Sequence, residues 1–309
     1  MSDLHKHVDD YLRLRRALGF KLERHGRLLP QLVAYLEAAG ARTVTRELAI
    51  SWAQLPARAH PRHWAARLAI ARGFAAYLQT TDPATEIPPA GVFAVRYQRP
   101  TPYLWSKHDI CRLLEAARTL RPPLKAAGYE TLFGLLAVTG MRVGEAIALD
   151  RDDVDLAAGV ITIREQVAKL ERARLVPLHP TTAQALQRYA RTRDRLCPRP
   201  NSSAFLLSST GTALDRSAIS KTLRTITTAL GLRTDTTRPR AHDLRHSFAV
   251  TTLIDWQRSG AQIDTRIAAL STYLGHVSPA ETYWYLTATP QLMGLAAQRL
   301  DSRFGGGRS

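Results

Sequence analysis

The chain is 309 residues long and 45% hydrophobic, enough to bury the cores of two domains. Its formal net charge of +17 favours a polyanion, above all nucleic acid, as partner. Its two cysteines, Cys111 and Cys197, lie far apart with no paired ligand spacing, which argues against a disulfide framework, a zinc site or any metal centre.

Taken in chain order, MSDLHKHVDDYLRLRR has no apolar core of a secretory signal. Residues 4–86 read as four or five short helices, with apolar residues three and four apart and Arg and His on the outer faces. Gly40 is placed to stop the second helix, and Thr45 to cap the third with Glu47 in its first turn. IPPAGVFAVRYQRPTPYL (87–104) holds four prolines, which break any helix and make an extended connector. The domain boundary is therefore expected between residues 97 and 98. Arg96 and Arg99 there either touch phosphate or are stray charges on a solvated linker. Residues 1–97 carry 14 Lys+Arg against 8 Asp+Glu, and the remainder 29 against 18, so both parts are basic and both are expected to contact DNA.

The second part opens with the helical SKHDICRLLEAARTL, then TLFGLLAVTG, which ends near Gly140. The run TLFGLLAV (131–138) is far short of a membrane span, and no membrane partner is expected. GVITIREQV (159–167) and RLVPL (174–178) read as a β-hairpin. Helices follow over 181–194, 216–230, 242–254 and 262–273. ETYWYL and PQLMGLAAQRL read as two short helices broken at Pro290, before a GGGRS tail.

Four segments carry chemistry. In TGMRVGEAIAL (139–149), Arg142 starts a helix after a glycine turn, where its fork can grip two oxygens of one phosphate and Glu145 can hold it in place. A plain surface arginine would look the same. In AKLERARLVPL (168–178), Lys169 sits at the hairpin turn, flanked by Arg172 and Arg174 as phosphate contacts. Basic residues are 37 Arg against only 6 Lys, a bias typical of GC-rich bacterial coding, so a lysine there is informative. Lys169 can donate a proton to a leaving oxygen, or it is a solvated hairpin tip. In AHDLRHSFAVTTL (241–253), His242 and Arg245 share a helix face, while a core histidine beside a surface arginine remains the plainer reading. In YLGHVSPAETYWYL (273–286), His276 follows a glycine turn and Tyr285 lies nine residues on. A tyrosine of ordinary pKa, about 10, needs nearby cations to become a nucleophile. Tyr283 is the rival, and spacing alone leaves both open.

These motifs, in this order, resemble the tyrosine recombinase (phage integrase) family. Thr139–Glu145 matches T-G-x-R-x-x-E, Lys169–Leu178 the hairpin lysine and V-P-L, His242–His246 the H-x-L-R-H box, and Leu274–His276 the L-G-H box with Tyr285 nine residues later. That register selects Tyr285 over Tyr283. The family's glycines beside the hairpin lysine are replaced here by Ala168 and Leu170. LRLRRALGF is similar to integrases of transposons and integrative elements.

The resemblance implies a mainly α, two-domain clamp on double-stranded DNA. It has a helical core-binding domain (1–97) and a mixed α/β catalytic domain (98–309) with a small hairpin or three-stranded sheet. It implies Arg142, Lys169, His242, Arg245, His276 and Tyr285 as the catalytic set, acting through a 3′-phosphotyrosyl link without metal, nucleotide or other cofactor. A homo-tetramer on two DNA sites, sister recombinases or DNA-bending proteins as partners, and a bacterial cytoplasmic, nucleoid-associated location go with it. An idle DNA-binding protein and a type IB topoisomerase-like relaxing enzyme are the alternatives.

Overall fold

The computed structural model describes residues 3–93, 101–165, 173–261, 263–276 and 282. The chain divides into two compact units, Met1–Arg99 and Pro100–Ser309. The domain-closing linker residues Arg96 and Arg99 and the PQLMGLAAQRL segment lie outside the described residues.

The first unit holds α1 (Asp3–Ala17), α2 (Glu23–Ala38), α3 (Arg46–Gln54) and α4 (Pro61–Leu78). Leu29, Leu32, Val33 and Leu36 of α2 follow the three-and-four spacing and are fully buried, with Trp52 of α3 and Phe74 of α4 in the same core. Gly40 ends α2 at φ +70°, where the Ala41 amide reaches back to the Leu36 carbonyl. The Thr45 hydroxyl accepts the Leu48 amide at 3.3 Å, capping α3. One arginine departs from the expected outer face. Arg67 is buried, its guanidinium 3.9 Å from the Trp52 ring centroid and donating to the Trp52 carbonyl at 3.0 Å. The aromatic face and that carbonyl together replace water around the charge.

The second unit holds α5 (Lys107–Arg118), α6 (Pro123–Thr139), α7 (Val143–Ile147), β1 (Val154–Asp155), β2 (Val160–Ile163), β3 (Arg174–Pro177), α8 (Pro180–Leu196), α9 (Arg216–Ala229), α10 (Ala241–Arg258) and α11 (Ile263–Leu274). Ser106 and Asp109 form a reciprocal capping box at the start of α5. Helix α6 starts eight residues before the apolar run that announced it, with Pro123 in its first turn. It is apolar on nearly every side because α5, α8 and α10 all pack on it. The sheet is antiparallel in the order β1-β2-β3, with Ile161 opposite Val176 and Ile163 opposite Arg174. Ile161, Ile163 and Val176 are buried in the main core. Among the described residues no helix is long and apolar enough to cross a membrane.

Candidate active site

Helix α6 ends at Gly140 with φ +62°, a left-handed position where a side chain would also run into Phe248 and Leu274. The sharp exit delivers Arg142 to the cap position of α7. Its backbone amide donates to Glu145 Oε2 at 2.9 Å and its Nη1 to Glu145 Oε1 at 2.8 Å. Its Nη2 donates to the Gly275 carbonyl at 2.7 Å, far away in sequence.

Arg245 comes from α10 and meets the same place. Its side chain is 2% exposed, donating to the Gly140 carbonyl at 2.9 Å and the Leu274 carbonyl at 2.7 Å. Arg142 Nη1 also lies 3.4 Å from the Leu274 oxygen. The last carbonyls of a helix have no intrahelical partners and carry partial negative charge, so the end of α11 gathers arginines. Gly275 turns the chain there at φ +66°, and the His276 amide closes the turn on the Ser271 carbonyl at 2.9 Å. His276 Nδ1 lies 2.7 Å from the Thr282 hydroxyl. Burial first, then the charges of Arg245, Arg142, His242 and Arg174, pull its pKa down to about 3. His276 is therefore neutral in the DNA-free protein. His242 is exposed, its ring edge-on to His246 at 4.8 Å between centroids. Asp243 beside it is buried and paired with Arg240 at 2.9 Å, fixing the start of α10.

Glu145 is 2% exposed and receives a second arginine. Arg174 Nη1 and Nη2 donate to its two oxygens at 3.1 and 2.7 Å, and Arg174 Nε donates to the Tyr273 carbonyl at 2.9 Å. Burial pushes the Glu145 carboxyl up, but Arg174, ahead of Arg142, more than offsets it and holds the group below the usual carboxylate range. Arg174, expected on phosphate, is thus engaged inside the unit with all three guanidinium nitrogens. Strand alternation is the reason. Arg174 lies two residues from the buried Val176 on the same face, and Leu175 takes the outer face at 64% exposed.

The site gathers arginines and the neutral His276 from motifs that span residues 139–276, and the comparisons cover that span. Residues 105–291 match the model of the phage integrase family. The chain belongs to the phage integrase family. It is a tyrosine recombinase, one of a class of DNA strand-exchange enzymes that need neither metal nor ATP. Among its relatives, a putative integrase/recombinase y4rB of Sinorhizobium fredii (strain NBRC 101917 / NGR234) is 44% identical over 98% of this chain and 99% of its own. The tyrosine recombinase XerD of Lacticaseibacillus casei is 33% identical over half of each chain. Two solved structures share the fold. The Tn1549 transposon integrase with circular intermediate DNA has a TM-score of 0.63 at 17% identity, over 95% of this chain and 99% of that one. A lambda integrase dimer on a core site has a TM-score of 0.61 at 15% identity, over 91% and 76%.

In this integrase-family chain, Arg142, Glu145, His242, Arg245 and His276 come together. Lys169, Arg172, Tyr283 and Tyr285, like Arg96 and Arg99, lie outside the described residues. Sequence reasoning missed Thr282, a buried hydroxyl whose contact with His276 has no periodic or motif signal. It also missed the carbonyls of Tyr273, Leu274 and Gly275, since no side chain marks them.

Proposed function

We propose that this chain cleaves and rejoins double-stranded DNA by transesterification on Tyr285, for integration or transposition of a mobile element. The observation that carries the reading is the meeting of Arg142 and Arg245 at the carbonyls closing α11, beside a neutral His276. In this reading the two guanidinium forks bind the non-bridging oxygens of the scissile phosphate and offset the charge that grows in the transition state. His276 donates a neutral N–H to one of those oxygens, and His242 supports the phosphate or takes the tyrosine proton. Tyr285 attacks phosphorus, the P–O5′ bond breaks, and the 3′ end stays on the enzyme as a phosphotyrosyl ester. Lys169 protonates the departing 5′ oxygen. A 5′-hydroxyl from a partner duplex then reverses the step, so the bond energy is conserved and no nucleotide is consumed.

The unit around residues 1–97 serves as the core-binding domain and residues 98–309 as the catalytic domain, closing on duplex DNA as a clamp. Arg96, Arg99 and Arg172 contact phosphate. Exchange between two duplexes calls for four protomers on two sites, with sister recombinases or DNA-bending proteins as possible company. A bacterial cytoplasm, with DNA of the nucleoid, is the setting. The similarity to y4rB over nearly the whole chain and the fold shared with the Tn1549 transposon integrase support the mobile-element role.

Covalent trapping tests this. Incubation with a nicked duplex cut from the ends of the chain's own element should give an SDS-resistant protein–DNA band. The band should vanish with Tyr285→Phe and persist with Tyr283→Phe. Tight binding without a band in the wild type would point to an idle DNA-binding role. Relaxation of any supercoiled plasmid by the monomer would point to topoisomerase-like action.

A further inference from the structure

We propose that Arg174 is a positioning residue for strand cleavage, setting Arg142 through Glu145 and the end of α11, and that it makes no phosphate contact. The inference rests on the reading of Arg142 and Tyr285 given above.

A carboxylate has about four acceptor positions, and all four of Glu145 are filled. Oε1 receives Arg142 Nη1 at 2.8 Å and Arg174 Nη1 at 3.1 Å. Oε2 receives the Arg142 amide at 2.9 Å and Arg174 Nη2 at 2.7 Å. Arg174 therefore determines which lone pairs Arg142 can use. Its Nε holds the Tyr273 carbonyl at 2.9 Å, one residue before the Leu274 and two before the Gly275 carbonyls that hold Arg142. Both anchors of Arg142, the carboxylate and the helix end, thus lead back to Arg174. The charge balance points the same way. With one arginine, Glu145 would neutralise Arg142; shared between two, it leaves the trio a net positive charge for the phosphate. The side chain of Arg174 is only 11% exposed. Its place on the core face of β3 follows from strand alternation, so it cannot turn outward without moving Val176. The strand that ends the hairpin of Lys169 is in this way tied to the arginine that grips phosphate.

The experiment compares wild type, Arg174→Lys, the uncharged Arg174→Gln, Glu145→Gln, the double variant of Arg174→Lys with Glu145→Gln, and Tyr285→Phe. Each is read by the single-turnover rate of adduct formation at saturating nicked DNA, and by DNA affinity across a salt series. Lysine keeps the charge but cannot fork across two oxygens and a carbonyl. Arg174→Lys should slow adduct formation roughly 10- to 100-fold, with affinity and salt slope those of the wild type. The double variant should be no slower than the slower single one, because the two residues act as one unit. Three results would overturn the role: a wild-type rate with Arg174→Lys, multiplied losses in the double variant, or, in the uncharged Arg174→Gln, a salt slope shallower by about 0.9, the signature of one lost phosphate contact. Should Arg174→Lys not fold, Arg174→Gln keeps a donor for the Tyr273 carbonyl and carries the same expectations. An adduct that survives Tyr285→Phe overturns the site reading and this role with it; an adduct lost there, with Arg174→Lys at full rate, overturns this role alone.

Discussion

His276 shows how much of the site depends on its neighbours. Its motif, a histidine after a glycine turn, is visible in the sequence, but its protonation state is set by burial and then by Arg245, Arg142, His242 and Arg174, all four more than thirty residues away. An unfolded imidazole takes its proton near its usual pKa of about 6.5, while folded His276 holds out to about 3. Between those values the unfolded chain binds more protons, so this group's contribution to stability falls as pH drops through that window. Stability should therefore fall more between pH 7 and pH 5 in wild type than in His276→Gln. The expected difference is about 1 kcal/mol once water access to the ring is allowed for. Urea midpoints at the two pH values measure it, and equal losses would mean that folded His276 titrates normally. Arg142 and Arg245 were legible because each sits in a local motif. Thr282 and the inward turn of Arg174 were not, because each is defined by a partner that only folding supplies.

At the scale of elements, the end of α11 does the organising. Three arginines, from the α6–α7 turn, β3 and α10, hold its last carbonyls, and Gly275 makes room for them. A Cβ at residue 275 would lie 2.8 Å from Arg174 Nη1 and 3.3 Å from Arg142 Nη1, on a backbone at φ +66°. A free arginine would simply swing aside; these are pinned by several bonds each. Gly275→Ala should therefore cost about 1–2 kcal/mol from backbone strain alone. Displacement of Arg142 should also slow adduct formation roughly 10- to 100-fold. A urea titration and a single-turnover assay check the two parts separately. The helices themselves were largely readable from spacing and caps, as Thr45 and Gly40 show. The start of α6 was not, because a helix apolar on nearly every side has no clear amphipathic edge to mark its beginning.

At the scale of the whole molecule, the net charge of +17 is shared by both parts of the chain. If both contact the duplex and neutralise some six to ten phosphates, log affinity should fall against log salt with a slope of about −5 to −9. Filter binding or anisotropy between 50 and 200 mM salt, on the order used for such slopes, would measure it; a flat response would sink the extended contact. Family membership was determined by the sequence alone, since T-G-x-R-x-x-E, H-x-L-R-H and L-G-H are local strings whose order survives without coordinates. So was the mainly helical class, because helix periodicity and capping are local physics. Only the tertiary structure decided that Arg174 faces Glu145 instead of solvent, that Arg67 is buried against Trp52, and that two arginines meet over the Leu274 carbonyl. Those facts depend on strand register and on backbone groups brought together from distant segments, and such groups have no letter in the sequence.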